Sequence, residues 1–344
     1  MKILYTIALL LAASSWSLQV SGQVQSKPPF TGDFAKRSAP PASAEATRNM
    51  EARLEEARTR YEAEPNNPEA AIWFGRRLAY LGRFSEAIEV YSSGITKFPR
   101  DARFYRHRGH RYITLRKFDL AIADFQKAVR LIKGLPDEVE PDGQPNARNI
   151  PTSTLQFNIW YHLGLAQYLT GRNRAALNSY RECLRVSQNP DSIVATTHWL
   201  YMILRRLNRP VEAQRVLDPI RTGMDVIEND GYYKLVLMYK GQVDSETLLA
   251  ETLKQPDSPG SHSILYGIAN WHLYNGRRAK AIELMRRITS TNQWTSFGYI
   301  AAEAELKSEV SSLRFQVSGF RSQVSGFRFQ TFHRQDATSQ RRRE

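Results

Sequence analysis

A pair of small residues recurs along this chain at a fixed interval. Gly75 and Ala87 stand 12 residues apart, and Gly109 and Ala121 repeat the pair 34 residues later. Self-similarity with a period of roughly 20–50 residues is typical of solenoids, in which each unit packs only on its neighbours. The chain is therefore expected to stack repeated units along one axis.

The pattern continues beyond these two units. Ala176 lies 55 residues after Ala121, which is one period of 34 plus an insertion of 21, and Ala213 follows 37 residues later. Ala281 lies 68 residues after Ala213, so two whole periods separate them and a degenerate unit must fill the space. This spacing predicts six units between about residues 68 and 292, preceded by half a unit.

Five residues before the alanine of most units stands a residue suited to ending a helix. Gly and Asn adopt the left-handed backbone conformation that satisfies the last carbonyl groups of a helix at little cost. Arg116 departs from this rule in the second unit. We expect a turn between two helices at Gly82, Gly171, Asn208, Gly241 and Gly276.

These features together resemble the tetratricopeptide-repeat family, whose units are helix-turn-helix pairs of 34 residues. The residues Pro65, Asn66 and Asn67 are similar to the turn that precedes a unit of that family. The resemblance implies an all-α fold, an α-solenoid in which the pairs stack as a right-handed superhelix. No strand-like alternation bounded by hairpin turns interrupts the helical units.

The beginning of the chain differs from the repeats in composition. Residues 1–22 have a basic start, an apolar run and small residues at their end, which predicts a signal peptide and a periplasmic or secreted protein. Because the apolar run is about half the ~20 residues of a spanning helix, we expect no stable membrane insertion after cleavage. Residues 23–45 are predicted to be a disordered linker, and the repeat domain is placed at 46–305.

The far end is also foreign to the repeats. In residues 306–344 the hexapeptide QVSGFR occurs twice, with 8 Lys or Arg against 3 Asp or Glu, and we predict a disordered basic tail. Whether this tail is native or a translated DNA repeat is left open. The net charge of the whole chain is +14, and residues 23–305 remain basic on their own, which favours acidic partners. Nucleic acid is not an expected partner, because export separates the protein from it.

The family resemblance implies where a partner binds. In the family, first helices line a concave groove, and side chains three or four residues apart point into it. Carried over to this chain, those positions are rich in Arg, His and Tyr, which suit an acidic peptide or protein. The predicted groove residues are Arg76, Arg106, His110, Asn158, Tyr161, His198, Arg205, Tyr266 and Asn270.

One ligand mode of the family does not fit this chain. Members that hold the acidic C-terminal tail of cytosolic chaperones use Lys, Asn, Asn, Lys and Arg at five inward positions. Here the corresponding residues are Ile72, Arg76, His107, Asn158 and His162. The predicted scaffold must therefore recognise its partner in another way.

The insertion at residues 134–154 has two interpretations. It contains four Pro and four acidic residues, and a loop of this length is uncommon unless it is functional or disordered. It either folds over the groove as a lid, with Asn146, Arg148 and Asn149 near the second and third units, or is a tolerated surface insertion.

The sequence carries no familiar catalytic signature. It has no nucleophile elbow, no phosphate-binding lysine loop, no dinucleotide fingerprint and no His-Glu-x-x-His run, and Cys183 is expected to be a buried thiol. We therefore predict a non-enzymatic protein with no cofactor and no metal. The alternative is a hydrolase or cell-wall-active protein with His110, His162 or His198 in a pocket under the insertion.

Overall fold

A computed structural model of the protein describes Phe34, residues 43–255 and residues 257–309. The predicted signal peptide and nearly all of the predicted linker and tail lie outside the described residues. The part that is described is helical, and its only β-type pairing is an isolated bridge between Val139 and Thr154. None of its helices combines the length and the apolar character that crossing a bilayer requires.

The described residues form fourteen helices. In chain order they are α1 (Ala44–Ala63), α2 (Pro68–Tyr80), α3 (Phe84–Lys97), α4 (Ala102–Thr114), α5 (Phe118–Ile132), α6 (Leu155–Leu169), α7 (Asn173–Val186), α8 (Pro190–Arg206), α9 (Pro210–Arg215), α10 (Asp230–Tyr239), α11 (Ser245–Leu253), α12 (Pro259–Tyr274), α13 (Arg278–Thr289) and α14 (297–309).

These helices confirm the predicted all-α solenoid. They form six successive helix hairpins, which we call units 1 to 6, from α2–α3 to α12–α13. The helix α1 packs on α2 as the predicted half unit, and successive units join through contacts such as α3 with α4 and α5 with α6. Each unit covers the apolar face of its neighbour, so the core runs along the stack.

The turns inside the units follow the predicted pattern. Gly82, Gly171, Gly241 and Gly276 have φ between 73° and 80°, and Asn208 has φ 56°. Arg116 has φ 60°, so the second unit keeps the left-handed turn without Gly or Asn. The same backbone conformation therefore ends the first helix of every unit.

Within a unit, the two helices approach closely because a glycine on the first faces an aromatic ring on the second. A Cβ atom added to Gly75 would lie 2.4 Å from the ring of Tyr91, and one added to Gly164 would lie 2.6 Å from that of Tyr180. Both rings are buried. The small residues that recur in the sequence thus set the distance between helices.

Unit 4 departs from this arrangement. Its first helix carries Tyr201 where other units have Gly or Ala, and its second helix, α9, has only six residues. The ring of Tyr201 is buried and stacks on that of Tyr239 in α10, with 4.2 Å between centroids. The packing is therefore shifted from the unit's own second helix toward unit 5.

The glycine–aromatic contact predicts that a larger residue in place of the glycine destabilises the fold. Gly164→Ala forces the Tyr180 ring to move, and such overpacking costs about 1–3 kcal/mol, partly offset by the roughly 1 kcal/mol better helix propensity of Ala. We expect urea unfolding to show a lower free energy of unfolding. Gly260→Ala is the control, since its nearest non-neighbouring atom is 3.8 Å away. An equal loss in both variants would contradict the packing argument.

Candidate functional site

The inner surface of the stack, formed largely by the first helices, holds α14, the last of the described helices. The ring of Phe297 in α14 lies 5.5 Å from that of His110 in α4 and 5.6 Å from that of His162 in α6. Further along α14, Glu305 pairs with Arg206 of α8 at 2.7 Å. The helix α14 thus lies against units 2 to 4 from the inside, where the sequence predicted a groove.

A buried ion pair fixes this helix. Arg116 donates from Nε to Glu303 of α14 at 2.6 Å and from Nη2 to the carbonyl oxygen of Trp294 at 2.8 Å. The side chains of Arg116 and Glu303 are 6% and 3% exposed, so the pair replaces water for both charges. Removing one partner of a buried pair leaves an uncompensated charge.

The Arg116–Glu303 pair is expected to contribute far more to the free energy of unfolding than a surface ion pair does. Glu303→Ala should lower the free energy of unfolding by about 3–5 kcal/mol, the usual cost of breaking a buried pair. Glu182→Ala, which removes the partner of Arg185 on the exposed face of α7, should change it little. Urea denaturation followed by circular dichroism compares the two. Similar small effects would show that α14 is not held through Glu303.

The insertion lies over the inner surface of the first units. Glu140 pairs with Arg106 at 2.9 Å and accepts a hydrogen bond from Asn158 at 3.0 Å. Arg76 donates to the carbonyl oxygen of Pro141 at 2.8 Å. Three of the predicted groove residues are therefore in contact with a segment of their own chain.

The far end of the insertion reaches unit 5. Asn146 donates to Glu228 at 2.6 Å, Arg148 pairs with Asp225 at 2.6 Å, and Thr152 donates to Glu228 at 2.7 Å. Asn146 and Arg148, which were expected near the second and third units if the insertion is a lid, bind the segment before α10. The insertion connects unit 1 with the segment before α10, because Asp225 and Glu228 of that segment accept hydrogen bonds from the insertion.

Two cavities open on this inner surface. The large cavity has a volume of about 360 Å³ and is lined by Asn158, Tyr161 and His162 of α6, with Tyr232 and Phe297 opposite. The small cavity has a volume of about 120 Å³ and lies between units 1 and 2. It is lined by Arg76, Ala79, Tyr80, Tyr91, Arg106, His107, His110, Arg111 and Glu140.

Five of the nine predicted groove residues line these cavities. Arg76, Arg106 and His110 line the small cavity, and Asn158 and Tyr161 line the large one. The other four contact protein instead. His198 stacks on Tyr232 and forms a hydrogen bond with Tyr239. Arg205 donates hydrogen bonds to Tyr201 and Asn275. Tyr266 shares a hydrogen bond with Tyr168, and Asn270 donates one to Tyr168 as well.

The sequence did not indicate several lining residues. Arg111 and Tyr91 line the small cavity, and Tyr232 and Phe297 line the large one. Arg111 directly follows His110 in α4, so it lies at the edge of the inward face. Phe297 comes from α14, and only the tertiary fold brings it to the site.

The histidines of the site are neutral at neutral pH. The rings of His110 and His162 lie 4.5 Å apart between centroids. Burial lowers the pKa of His162 to about 3, and burial with nearby Arg111 lowers that of His110 well below its usual value. Among the described residues, no group of three His, Cys, Asp or Glu side chains is arranged to hold a metal ion.

The cysteine is part of the core. Cys183 is buried, and its sulfur lies 3.3 Å from the hydroxyl of Thr196. Burial raises the pKa of this thiol to about 12, so it is protonated at neutral pH. A thiol in this state is a poor nucleophile.

The buried His198 predicts a loss of stability in mild acid. Burial lowers its pKa to about 3 in the folded protein, whereas the unfolded value is near 6.5. The unfolded chain binds the extra proton, so stability is full above pH 6.5 and falls below it, by up to about 1.4 kcal/mol per pH unit for one histidine.

Urea unfolding between pH 7.5 and 5.0 measures this slope. His198→Phe removes one titrating group and should reduce the slope relative to the wild type. Tyr239→Phe removes the hydrogen bond between Tyr239 and His198 but no histidine, so it should keep the wild-type slope. If His198→Phe also keeps that slope, His198 does not contribute to it.

The fold and the inner surface define a class of protein, an α-solenoid repeat protein built from helix hairpins. Residues 74–136 and 157–190 each match the tetratricopeptide-repeat family. These two spans cover most of units 1 to 3, where the glycine–aromatic pattern is strongest. The chain therefore contains tetratricopeptide repeats.

Solved structures of this family are similar to the chain. YrrB, described as a TPR protein with an unusual peptide-binding site, is 15% identical, and the match covers 74% of this chain and 99% of YrrB with a TM-score of 0.40. MamA is 17% identical, with 58% of this chain and 92% of MamA covered and a TM-score of 0.39. No curated protein matches the sequence significantly.

Proposed function

We propose that this protein is an exported, non-enzymatic scaffold that binds an acidic segment of a partner protein on the inner surface of units 1 to 3. Its tetratricopeptide repeats make it a scaffold for protein–protein interaction. The acidic character of the partner, the place of binding and the export are parts of the proposal.

The observation that carries the proposal is how the chain's own carboxylates are bound. Glu140 pairs with Arg106, and Glu303 pairs with Arg116. The inner surface thus already holds carboxylates by charge-assisted hydrogen bonds, which are stronger than neutral ones. A partner that offers Asp or Glu side chains meets the same chemistry.

The two cavities supply the place for such a segment. His110 lines the small cavity and His162 the large one, and their rings are in contact, so the cavities adjoin. A peptide that enters the large cavity packs on Tyr161 and Phe297. An acidic side chain of that peptide then extends toward Arg76 and Arg106.

Export is supported by residues 1–22, whose composition suits a signal peptide. It places the partner in the periplasm or outside the cell. The basic charge of the repeat domain assists the encounter with an acidic partner, because opposite charges steer association.

The hydrolase alternative has less support at the same place. His110 and His162 do line the cavities that the insertion borders, but His198 is buried among Trp199, Tyr232 and Tyr239 and lines neither cavity. A general base works best when its pKa lies near the working pH, whereas burial lowers the pKa of His162 to about 3. Among the described residues of the small cavity, the carboxylate of Glu140 lies 3.9 Å from Nε2 of His107 and pairs with Arg106 instead.

Affinity capture from periplasmic extract tests the proposal. We expect the full chain to retain a partner that Arg76→Ala with Arg106→Ala loses by at least tenfold, since both guanidinium groups bind the partner's carboxylates. The partner is identified by mass spectrometry, purified and titrated against each protein. Circular dichroism verifies that the variant is folded.

The matched control is Arg172→Ala with Arg181→Ala. Arg172 directly precedes α7 and Arg181 lies in it, and both are half-exposed with partners that are also exposed. This control keeps the loss of two positive charges but leaves the inner surface intact. Equal recovery of the partner by the inner-surface variant and the wild type would refute the proposed site.

A further inference from the structure

The small cavity has more positive charge than its surroundings balance. The guanidinium groups of Arg76, Arg106 and Arg111 line it, and among the described residues Glu140 is the one carboxylate that does. His107, also in the lining, is neutral at pH 7 because burial lowers its pKa well below the usual value. The lining therefore carries three positive charges and one negative charge.

Donors in this cavity also lack partners. Arg76 is occupied by the carbonyl oxygen of Pro141 and the hydroxyl of Tyr80. Arg106 pairs through Nη2 with Glu140, but its Nε finds no hydrogen-bond partner among the described residues although Arg106 is only 8% exposed.

Two further groups in the lining are available to a ligand. In the described part of the chain, no hydrogen bond or ion pair involves the side chain of Arg111, whose guanidinium lies 5.6 Å from the ring centre of Phe84. The hydroxyl of Tyr91, a residue 1% exposed, likewise has no hydrogen bond there. Burial of donors and charges without partners costs free energy unless a ligand supplies them.

The charge of Arg111 persists in this setting. Burial, with Arg106 and Arg76 nearby, lowers the pKa of Arg111 to about 10, which leaves it protonated at neutral pH. Two positive charges in the cavity thus remain without a negative partner. An anion placed among them gains from all three guanidinium groups, because the surroundings are poor in water.

We propose that the small cavity is a binding site for a phosphoryl group, a tetrahedral oxyanion with two negative charges. Such a group balances the two excess charges at once, whereas a single carboxylate balances one. Guanidinium groups match the oxygens of phosphate in pairs, and Tyr91 adds a hydroxyl donor. The cavity of about 120 Å³ has room for it, since one water needs roughly 10–15 Å³.

This inference deepens the proposed function, because Arg76 and Arg106 serve both. It specifies a phosphoryl group as the anion, either as a phosphorylated side chain of the partner or as free phosphate. Arg111 is the residue that separates the two ideas. It contributes to the small cavity and is not needed for a carboxylate that Arg76 and Arg106 hold.

Calorimetric titration of the full chain at pH 8 and constant ionic strength tests the site. The titrants are inorganic phosphate, sulfate and acetate. We expect phosphate and sulfate to bind at least tenfold more tightly than acetate, because both are dianions at that pH. Acetate binding as tightly as phosphate, or no detectable phosphate binding, would overturn the inference.

Three variants assign the binding to the cavity. Arg111→Gln should weaken phosphate binding at least tenfold, and Glu140→Gln should strengthen it, because it removes the competing negative charge. Arg172→Gln, which changes a half-exposed arginine directly before α7, should leave it unchanged. Phosphate should also raise the melting temperature of the wild type but not that of Arg111→Gln. Unchanged phosphate binding in both Arg111→Gln and Glu140→Gln would overturn the site.

A phosphoserine peptide and its unphosphorylated form distinguish the source of the phosphoryl group. If the phosphopeptide binds at least tenfold more tightly than inorganic phosphate, the group belongs to a protein segment, and if their affinities are equal, it is the free anion. Phosphate binding is measured without any partner, so it can succeed where partner capture fails. Capture that depends on Arg76 and Arg106 but not on Arg111, with no phosphate binding, would refute only this inference.

Discussion

The close contact between the two helices of each unit is the constraint on which the rest of the structure depends. Gly75 against Tyr91 and Gly164 against Tyr180 leave no space for a side chain on the first helix. Because the rings come from the second helices, the first helices are drawn together toward one side of the stack. The first helices therefore supply most of the inner surface, and the insertion and α14 complete its two cavities.

The interior of the stack is so narrow that distant units touch. The hydroxyls of Tyr168 in unit 3 and Tyr266 in unit 6 are 2.7 Å apart. The helix α14 fills much of the remaining space, and its carboxylates replace water around Arg116 and Arg206. Much of the inner surface is therefore buried as protein core, and the two cavities offer room for another molecule.

Local features of this fold could be predicted from the sequence, and long-range ones could not. The helix pairs and their left-handed turns follow from residues within one unit, which is why the positions of Gly82 and Asn208 were correct. Whether an inward side chain is exposed to solvent depends on the curvature of the stack over several units. For that reason Tyr266 and Asn270 were predicted as groove residues but are buried, and the contacts of the insertion were missed.

Charge balance separates the parts of the inner surface that hold the fold together from the part that can bind. Arg116 and Arg206 have carboxylates of α14 as partners, so their charges are used within the chain. In the small cavity, Glu140 is bound to Arg106, and Arg111 has no ionic partner in the described chain. An unbalanced charge is retained at a cost in stability, and a ligand of opposite charge removes that cost. An acidic ligand is therefore expected to bind where arginines of the described chain have no carboxylate partner.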